Sequence, residues 1–189
     1  MDLLLIRHPA VAIDAGICYG QTDVPLAADA GDSARALIER MRALNVPECE
    51  GVWLTSPLAR CARVAQALGR AHADARLMEL DFGAWEACKW DGIDRALLDA
   101  WAADLDHARA HGGESVAQFS QRVGEWFDET CGARDTPVHA ITHAGVIRVL
   151  AARLLNVPHA SAMRWPLDFG AIVWLRRVRG EWLLVRWNA

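Results

Sequence analysis

Leu3-Leu4-Leu5-Ile6-Arg7-His8 opens the chain, and Val138-His139-Ala140-Ile141-Thr142-His143-Ala144-Gly145 repeats its plan far downstream. Each is a short apolar run without helical periodicity that ends in an imidazole. Runs of this kind read as strands buried on both faces. In open α/β sheets, ligands collect in the crevice beyond the C-terminal ends of the strands. The two histidines are therefore expected to meet there, with Arg7 beside them to hold an anion.

Two more runs, Val52–Thr55 and 76–80, read as strands by the same argument. Helical stripes lie between them. Ala34, Leu37, Ile38, Met41 and Leu44 share one face, as do Val116, Phe119, Val123 and Phe127, and then Val146, Val149, Leu150 and Leu154. Ser56-Pro57 reads as an N-cap followed by proline at the first helical position, which places Arg60 in the first turn. Ser115 with Gln118 fits a capping box, and Asp29 can cap the first helix. Gly145 is expected to open a helix that Asn156 and Pro158 close. Ile172–Val178 and 182–187 flank Arg179-Gly180 and suggest a β-hairpin. Strands alternating with helices predict an α/β fold, a three-layer α/β/α sandwich with a mostly parallel central sheet.

Composition narrows the function classes. The chain has 189 residues, enough for one domain over 1–189, and its formal net charge is −4. No overall basic field exists for nucleic acid or an acidic membrane, so an anion site must be a local cluster of arginines. The expected partner is a small anionic metabolite. The cysteines at 18, 49, 61, 88 and 131 are odd in number and form no Cys-x-x-Cys pair. Neither a disulfide framework nor a zinc site is supported, and no metal or cofactor is expected. The start is too brief for a signal peptide and no apolar stretch approaches a membrane span, so a cytoplasmic protein, monomeric or homodimeric, is expected.

Read in order, Arg7-His8, Ser56-Pro57-Leu58-Ala59-Arg60, Glu79-Leu80-Asp81-Phe82-Gly83 with Trp85-Glu86, Gly113-Glu114-Ser115 and Thr142-His143-Ala144-Gly145 resemble the histidine phosphatase superfamily. This is the phosphoglycerate mutase-like group that works through a phosphohistidine, and the resemblance spans nearly the whole chain. It implies a phosphoglycerate mutase-like fold and the following roles. His8 is the nucleophile, and a neutral imidazole is competent near pH 7. Arg7 and Arg60 fork onto phosphate oxygens. His143 hydrogen-bonds the transferring phosphoryl group, with Ala144 at the anion-friendly helix start contacting substrate. Glu79 matches the acid/base position. Glu86 competes for that role but reads rather as a residue that orders the loop, and Asp81 as a solvated charge or local cap. His139 matches no family position and is read as structural.

The sequence departs from the family pattern at Pro9-Ala10-Val11, where Gly-Glu-Thr is common, and at Ala87-Cys88-Lys89 after Trp-Glu. The first replaces one wall of the phosphate pocket with apolar groups. The second bears on loop geometry.

Ile17-Cys18-Tyr19-Gly20-Gln21-Thr22-Asp23-Val24-Pro25-Leu26 resembles the loop of α-ribazole phosphatases, which act on α-ribazole 5'-phosphate or adenosylcobalamin phosphate in cobalamin biosynthesis. Gln21 and Thr22 are then expected at the substrate; the alternative is a loop that only turns the chain. Segment 86–115 is short compared with the extra segments of the superfamily's mutases. It is expected to form a small lid that admits water, which favours a phosphatase over a mutase. Trp101 and Leu105 within it are read as core. A broad-specificity phosphatase, a phosphoglycerate mutase and a catalytically inactive ligand-binding homologue remain the alternatives.

Overall fold

The apolar run at the chain start is continuous because the strand it forms is covered on both faces. In the computed structural model, which describes residues 1–46, 51–69, 71–132 and 134–189, strand β1 is Asp2–Arg7 and its four central residues are buried. Leu3 and Leu5 pack with Phe119, Val123, Trp126, Val146 and Leu150. Leu4 and Ile6 pack on the opposite face with Leu37, Met41 and Val64. Two apolar clusters on the two faces of one sheet make the expected three-layer arrangement.

The remaining elements are α1 (Ala30–Ala43), β2 (Val52–Thr55), α2 (Ala59–Ala67), β3 (His72–Ala73), α3 (Arg95–Ala103), α4 (Val116–Cys131), β4 (Val138–Thr142), α5 (Ala144–Leu154), α6 (His159–Ala162), β5 (Ile172–Val178) and β6 (Glu181–Arg186). The six strands run in the order β3-β2-β4-β1-β5-β6. Pairs β3–β2, β2–β4 and β4–β1 are parallel, and β5 joins β1 antiparallel. The β5–β6 hairpin closes the sheet as expected, with Arg179 at φ +53° and Gly180 at φ +90° in its turn. Two consecutive positive φ values suit the twist of a tight hairpin. Among the described residues no helix is long and apolar enough to cross a membrane.

The local signals for helix starts largely hold. Asp29 caps α1, accepting from the Gly31 and Asp32 N–H groups. Ser115 and Gln118 form both bonds of a capping box on α4.

Two expectations need correction. Residues 76–80 are not a strand; the third parallel strand is the two-residue β3, followed by a 3₁₀ turn at Ala75–Leu77. Asp74 closes that turn by accepting from Arg76 N–H. The carbonyls of Arg76, Met78 and Glu79 are then taken by the Arg122 guanidinium instead of a neighbouring strand. Ser56 is also not the N-cap of α2, which starts at Ala59 after Leu58. The Ala59 N–H is bonded by Asp23 Oδ1 at 2.8 Å, from a loop far back in the chain.

The segment 86–115 holds a 3₁₀ turn at Trp90–Gly92 and α3, which buries none of its residues. Trp101 packs on Phe82 and Trp85, and Leu105 lies against the larger core cluster. Cys18, Cys61, Cys88 and Cys131 are free thiols, whereas Cys49 lies outside the described residues.

Candidate active site

The register of β1 on β4 pairs Arg7 with Thr142, so the next residues, His8 and His143, come together at the strand tips. The His8 N–H donates to the Thr142 carbonyl at 2.9 Å. The two imidazoles stand 5.2 Å apart between ring centroids, inclined at 60°. Both are buried.

Their partners fix the tautomers. His8 Nδ1 lies 2.8 Å from the Pro9 carbonyl, which can only accept, so Nδ1 carries the proton and Nε2 keeps its lone pair. His143 Nδ1 receives the Arg60 Nε–H at 3.2 Å, and its Nε2–H is left to donate to Ser56 Oγ at 2.8 Å. Burial pushes the His8 pKa down to about 3, aided by the positive Arg60 and Arg7 nearby. His143 is held well below the ordinary histidine range, again by burial first and then by Arg60. Both rings are neutral at physiological pH.

Arg60, wholly buried in the first turn of α2, also donates to the carbonyls of Gly20 at 2.6 Å and Thr22 at 2.9 Å. An arginine carries five N–H donors, so two remain for another acceptor. Arg7 donates to the Leu167 carbonyl, its guanidinium carbon lies 3.9 Å from the centre of the Phe169 ring, and its buried Nε has no partner. An unpaired buried donor is costly unless something is meant to bind there.

The two glutamates occupy different places. Glu79 shares with His8 and Arg7 the wall of a cleft of about 130 Å³, together with Ile17, Cys18, Tyr19, Gly20, Phe82 and Trp90. Its Oε1 accepts from Leu80 N–H at 3.0 Å and its Oε2 from Gly145 N–H at 3.1 Å. Glu86 does not line the cleft. Its carboxylate is taken up by the N–H groups of Gln21, Thr22 and Phe82 and by the Thr22 hydroxyl. Gly20 makes room for this: a β-carbon there would stand 2.7 Å from Glu86 Oε1. Asp81 accepts from Gly83 N–H at 2.7 Å, a local turn.

His8, Arg7, Arg60, Glu79 and His143 are thus brought together, while Gln21 and Thr22 face protein partners. Gln21 Nε2 donates to the Glu79 carbonyl at 3.1 Å. Ala144 is the first residue of α5. His139 stacks on Trp53 with centroids 4.5 Å apart. Among the described residues no three His, Cys, Asp or Glu side chains gather as a metal site would require.

Sequence reasoning overlooked three arginine and serine roles. Arg122 forks onto Glu114 with two 2.7 Å bonds and anchors the Glu79 backbone at 3.2 Å. Arg148 bonds the Trp165 carbonyl and lies near enough to Arg7 and Glu79 to feel both charges. A lone arginine inside the apolar run Gly145-Val146-Ile147-Arg148-Val149-Leu150 was the available signal. Ser56 orients His143, which no local pattern announces.

A model of the histidine phosphatase superfamily (branch 1) matches residues 3–189. The glucosyl-3-phosphoglycerate phosphatase of Mycolicibacterium vanbaalenii is 29% identical over 99% of this chain and 94% of its own. The adenosylcobalamin/α-ribazole phosphatase of Salmonella typhimurium is 28% identical over 90% and 87%. The crystal structure of the α-ribazole phosphatase from Shigella flexneri, 26% identical, superposes with a TM-score of 0.85 over 100% of this chain and 96% of that one. The chain belongs to branch 1 of the histidine phosphatase superfamily, and phosphatase chemistry is what that membership supports.

Proposed function

We propose that this protein is a phosphomonoester hydrolase that works through a phosphohistidine at His8 and takes α-ribazole 5'-phosphate or a close relative. The observation that carries the reading is the state of His8. Its Nδ1–H is spent on the Pro9 carbonyl, and burial keeps the ring neutral. Nε2 therefore holds a lone pair beside Arg7 and Glu79 in one cleft.

In the first step Nε2 attacks phosphorus in line with the leaving oxygen, and the P–O bond breaks as Glu79 gives that oxygen a proton. Arg7 supplies its unpaired donors to the equatorial oxygens, and Arg60 its two remaining N–H groups. His143 turns its N–H from Ser56 to the phosphoryl oxygens as charge develops. In the second step Glu79, now a carboxylate, takes a proton from water. That water attacks phosphorus, the P–N bond breaks, and the electron pair returns to Nε2 with release of phosphate.

The substrate assignment is supported by the loop 17–26 and by the α-ribazole phosphatases among the relatives. Gln21 and Thr22 belong to that loop and are held by Glu86 and the Glu79 carbonyl, so in this reading they shape the loop behind the substrate rather than donate to it. The proposed lid, 86–115 of a single 1–189 domain, buries nothing in α3, which leaves water a route to the phosphoenzyme and favours hydrolysis over mutase transfer. Turnover of α-ribazole 5'-phosphate is to be compared with glucosyl-3-phosphoglycerate, 3-phosphoglycerate and p-nitrophenyl phosphate. The highest kcat/KM is expected for the first; a preference for either phosphoglycerate would overturn the assignment. Acid-labile labelling by substrate phosphate should vanish in His8→Ala, and label retained in that variant would remove His8 as nucleophile.

A further inference from the structure

Phe169 is 41% exposed, yet it is not a stray surface residue. Its ring centroid lies 5.5 Å from that of His8, and the Arg7 guanidinium carbon sits over its face at 3.9 Å. Short bonds on either side hold it there. Asp168 N–H donates to Asn188 Oδ1 at 2.6 Å, Gly170 N–H donates to the His8 carbonyl at 3.1 Å, and the Gly170 carbonyl accepts from Arg40 at 2.7 Å. A large apolar side chain pinned with one face open to water, beside the nucleophile, is placed to meet a ligand.

Phe169 itself lines a neighbouring cavity of about 190 Å³ with Pro9, Arg40 and Gly170, and Arg7 is common to that cavity and the His8 cleft. Ile17, Tyr19, Phe82 and Trp90 line the His8 cleft. Phe82 and Trp90 pack edge to face at 5.4 Å, and Trp85, Trp101 and His111 support them with further edge contacts. Ring walls braced in this way lose little freedom when a ligand arrives. The charged groups lining the His8 cleft are Arg7 and Glu79.

We infer that Phe169 is a specificity-determining residue whose exposed ring packs against a ring-bearing alcohol portion of the phosphomonoester. The inference rests on the hydrolase reading given above and extends it to substrate class: phosphate esters of ring-bearing alcohols. Aromatic packing of this kind is worth up to about tenfold in affinity.

Benzyl phosphate and ethyl phosphate test this, because both release an unactivated alcohol and differ in the ring. The wild-type protein should show a kcat/KM ratio of about tenfold or more in favour of benzyl phosphate. Phe169→Ala should bring the ratio to within about threefold of unity, chiefly through KM, and Phe169→Trp should restore it. Equal losses on both esters in Phe169→Ala would mean that Phe169 only supports Arg7, and would overturn the inference. Titration with benzylphosphonate and ethylphosphonate reads binding without turnover. If neither ester is hydrolysed but benzylphosphonate still binds more tightly through Phe169, the hydrolase reading fails and the recognition stands. If the esters are hydrolysed and neither the rate ratio nor phosphonate binding responds to Phe169, the recognition fails alone.

Discussion

Glu79 Oε2 accepts from the Gly145 N–H at 3.1 Å, and Gly145 has no side chain to keep the carboxylate out. A β-carbon at 145 would clash with Glu79 Oε1 and stand 3.0 Å from its carboxyl carbon and 3.1 Å from Phe119. Glycine is required here by approach, not by backbone conformation. Gly145→Ala should therefore displace the carboxylate from the start of α5. Within a helix the same change adds up to about 1 kcal/mol of stability, which offsets the roughly 1–3 kcal/mol of overpacking. Activity should fall about 100-fold, the scale of a misplaced catalytic group, with little change in Tm. Steady-state kinetics beside thermal unfolding checks this; unaltered kcat/KM would contradict the placement of Glu79.

Arg122 links Glu114 to the segment that carries Glu79. Its fork on Glu114 and its bonds to the Arg76, Met78 and Glu79 carbonyls involve side chains about four-fifths buried. Arg122→Ala leaves Glu114 without its cation and three carbonyls short of donors. A loss of about 2–4 kcal/mol is expected, together with a fall in kcat as Glu79 loses its anchor. Arg122→Lys should recover little, since an ammonium cannot reproduce the planar fork. Urea unfolding and kcat for the two variants provide the measurement; full rescue by lysine would rule out the fork as the cause.

These two relationships mark what was legible in the sequence. Positions decided by nearby residues were readable: the Asp29 cap, the Ser115–Gln118 box, the Arg179-Gly180 turn and the two strands that deliver His8 and His143. The failures lie where a distant side chain settles a local question. Residues 76–80 have the composition of a strand, but Arg122 on α4 takes their carbonyls and holds them out of the sheet. Ser56-Pro57 has the form of a helix start, but the helix begins later because Asp23 bonds the Ala59 N–H and Ser56 is engaged by His143. Phe169 lies in a loop without periodicity, so nothing local connects it to His8.

Stability should decline in acid because of the two site histidines. Burial depresses the His8 pKa from 6.5 to about 3 and lowers that of His143 as well. The folded state resists protonation, whereas the unfolded chain takes up both protons as pH falls through about 6.5. Their contribution is thus fully present above that pH and is lost as pH falls below it, down to about 3 for His8. The slope is up to about 1.4 kcal/mol per pH unit for each histidine below the unfolded value. Denaturant unfolding at several pH values between 7 and 4 should show His8→Gln with a slope shallower by about one proton. An identical pH dependence in that variant would mean that His8 is not held neutral by burial.

The two glutamates separate by their response to the leaving group. Glu79 lines the cleft beside His8, whereas Glu86 is fully engaged in accepting from Gln21, Thr22 and Phe82. Glu79→Gln preserves size and removes the proposed proton donor, so the rate for an alkyl phosphate should fall by about 10²–10⁴-fold. An aryl phosphate with an acidic leaving group needs little protonation, so the deficit in phosphorylating His8 should shrink. Glu86→Gln turns an amide N–H₂ towards donors that need an acceptor, which loosens the loop 20–22 that Arg60 also holds. Its loss should be similar for both esters and accompanied by a lower Tm. Single-turnover rates of His8 phosphorylation, measured with both esters in both variants, decide the assignment. If the leaving-group dependence follows Glu86→Gln, the acid is Glu86, and the cleft must rearrange before chemistry to bring that carboxylate to the leaving oxygen.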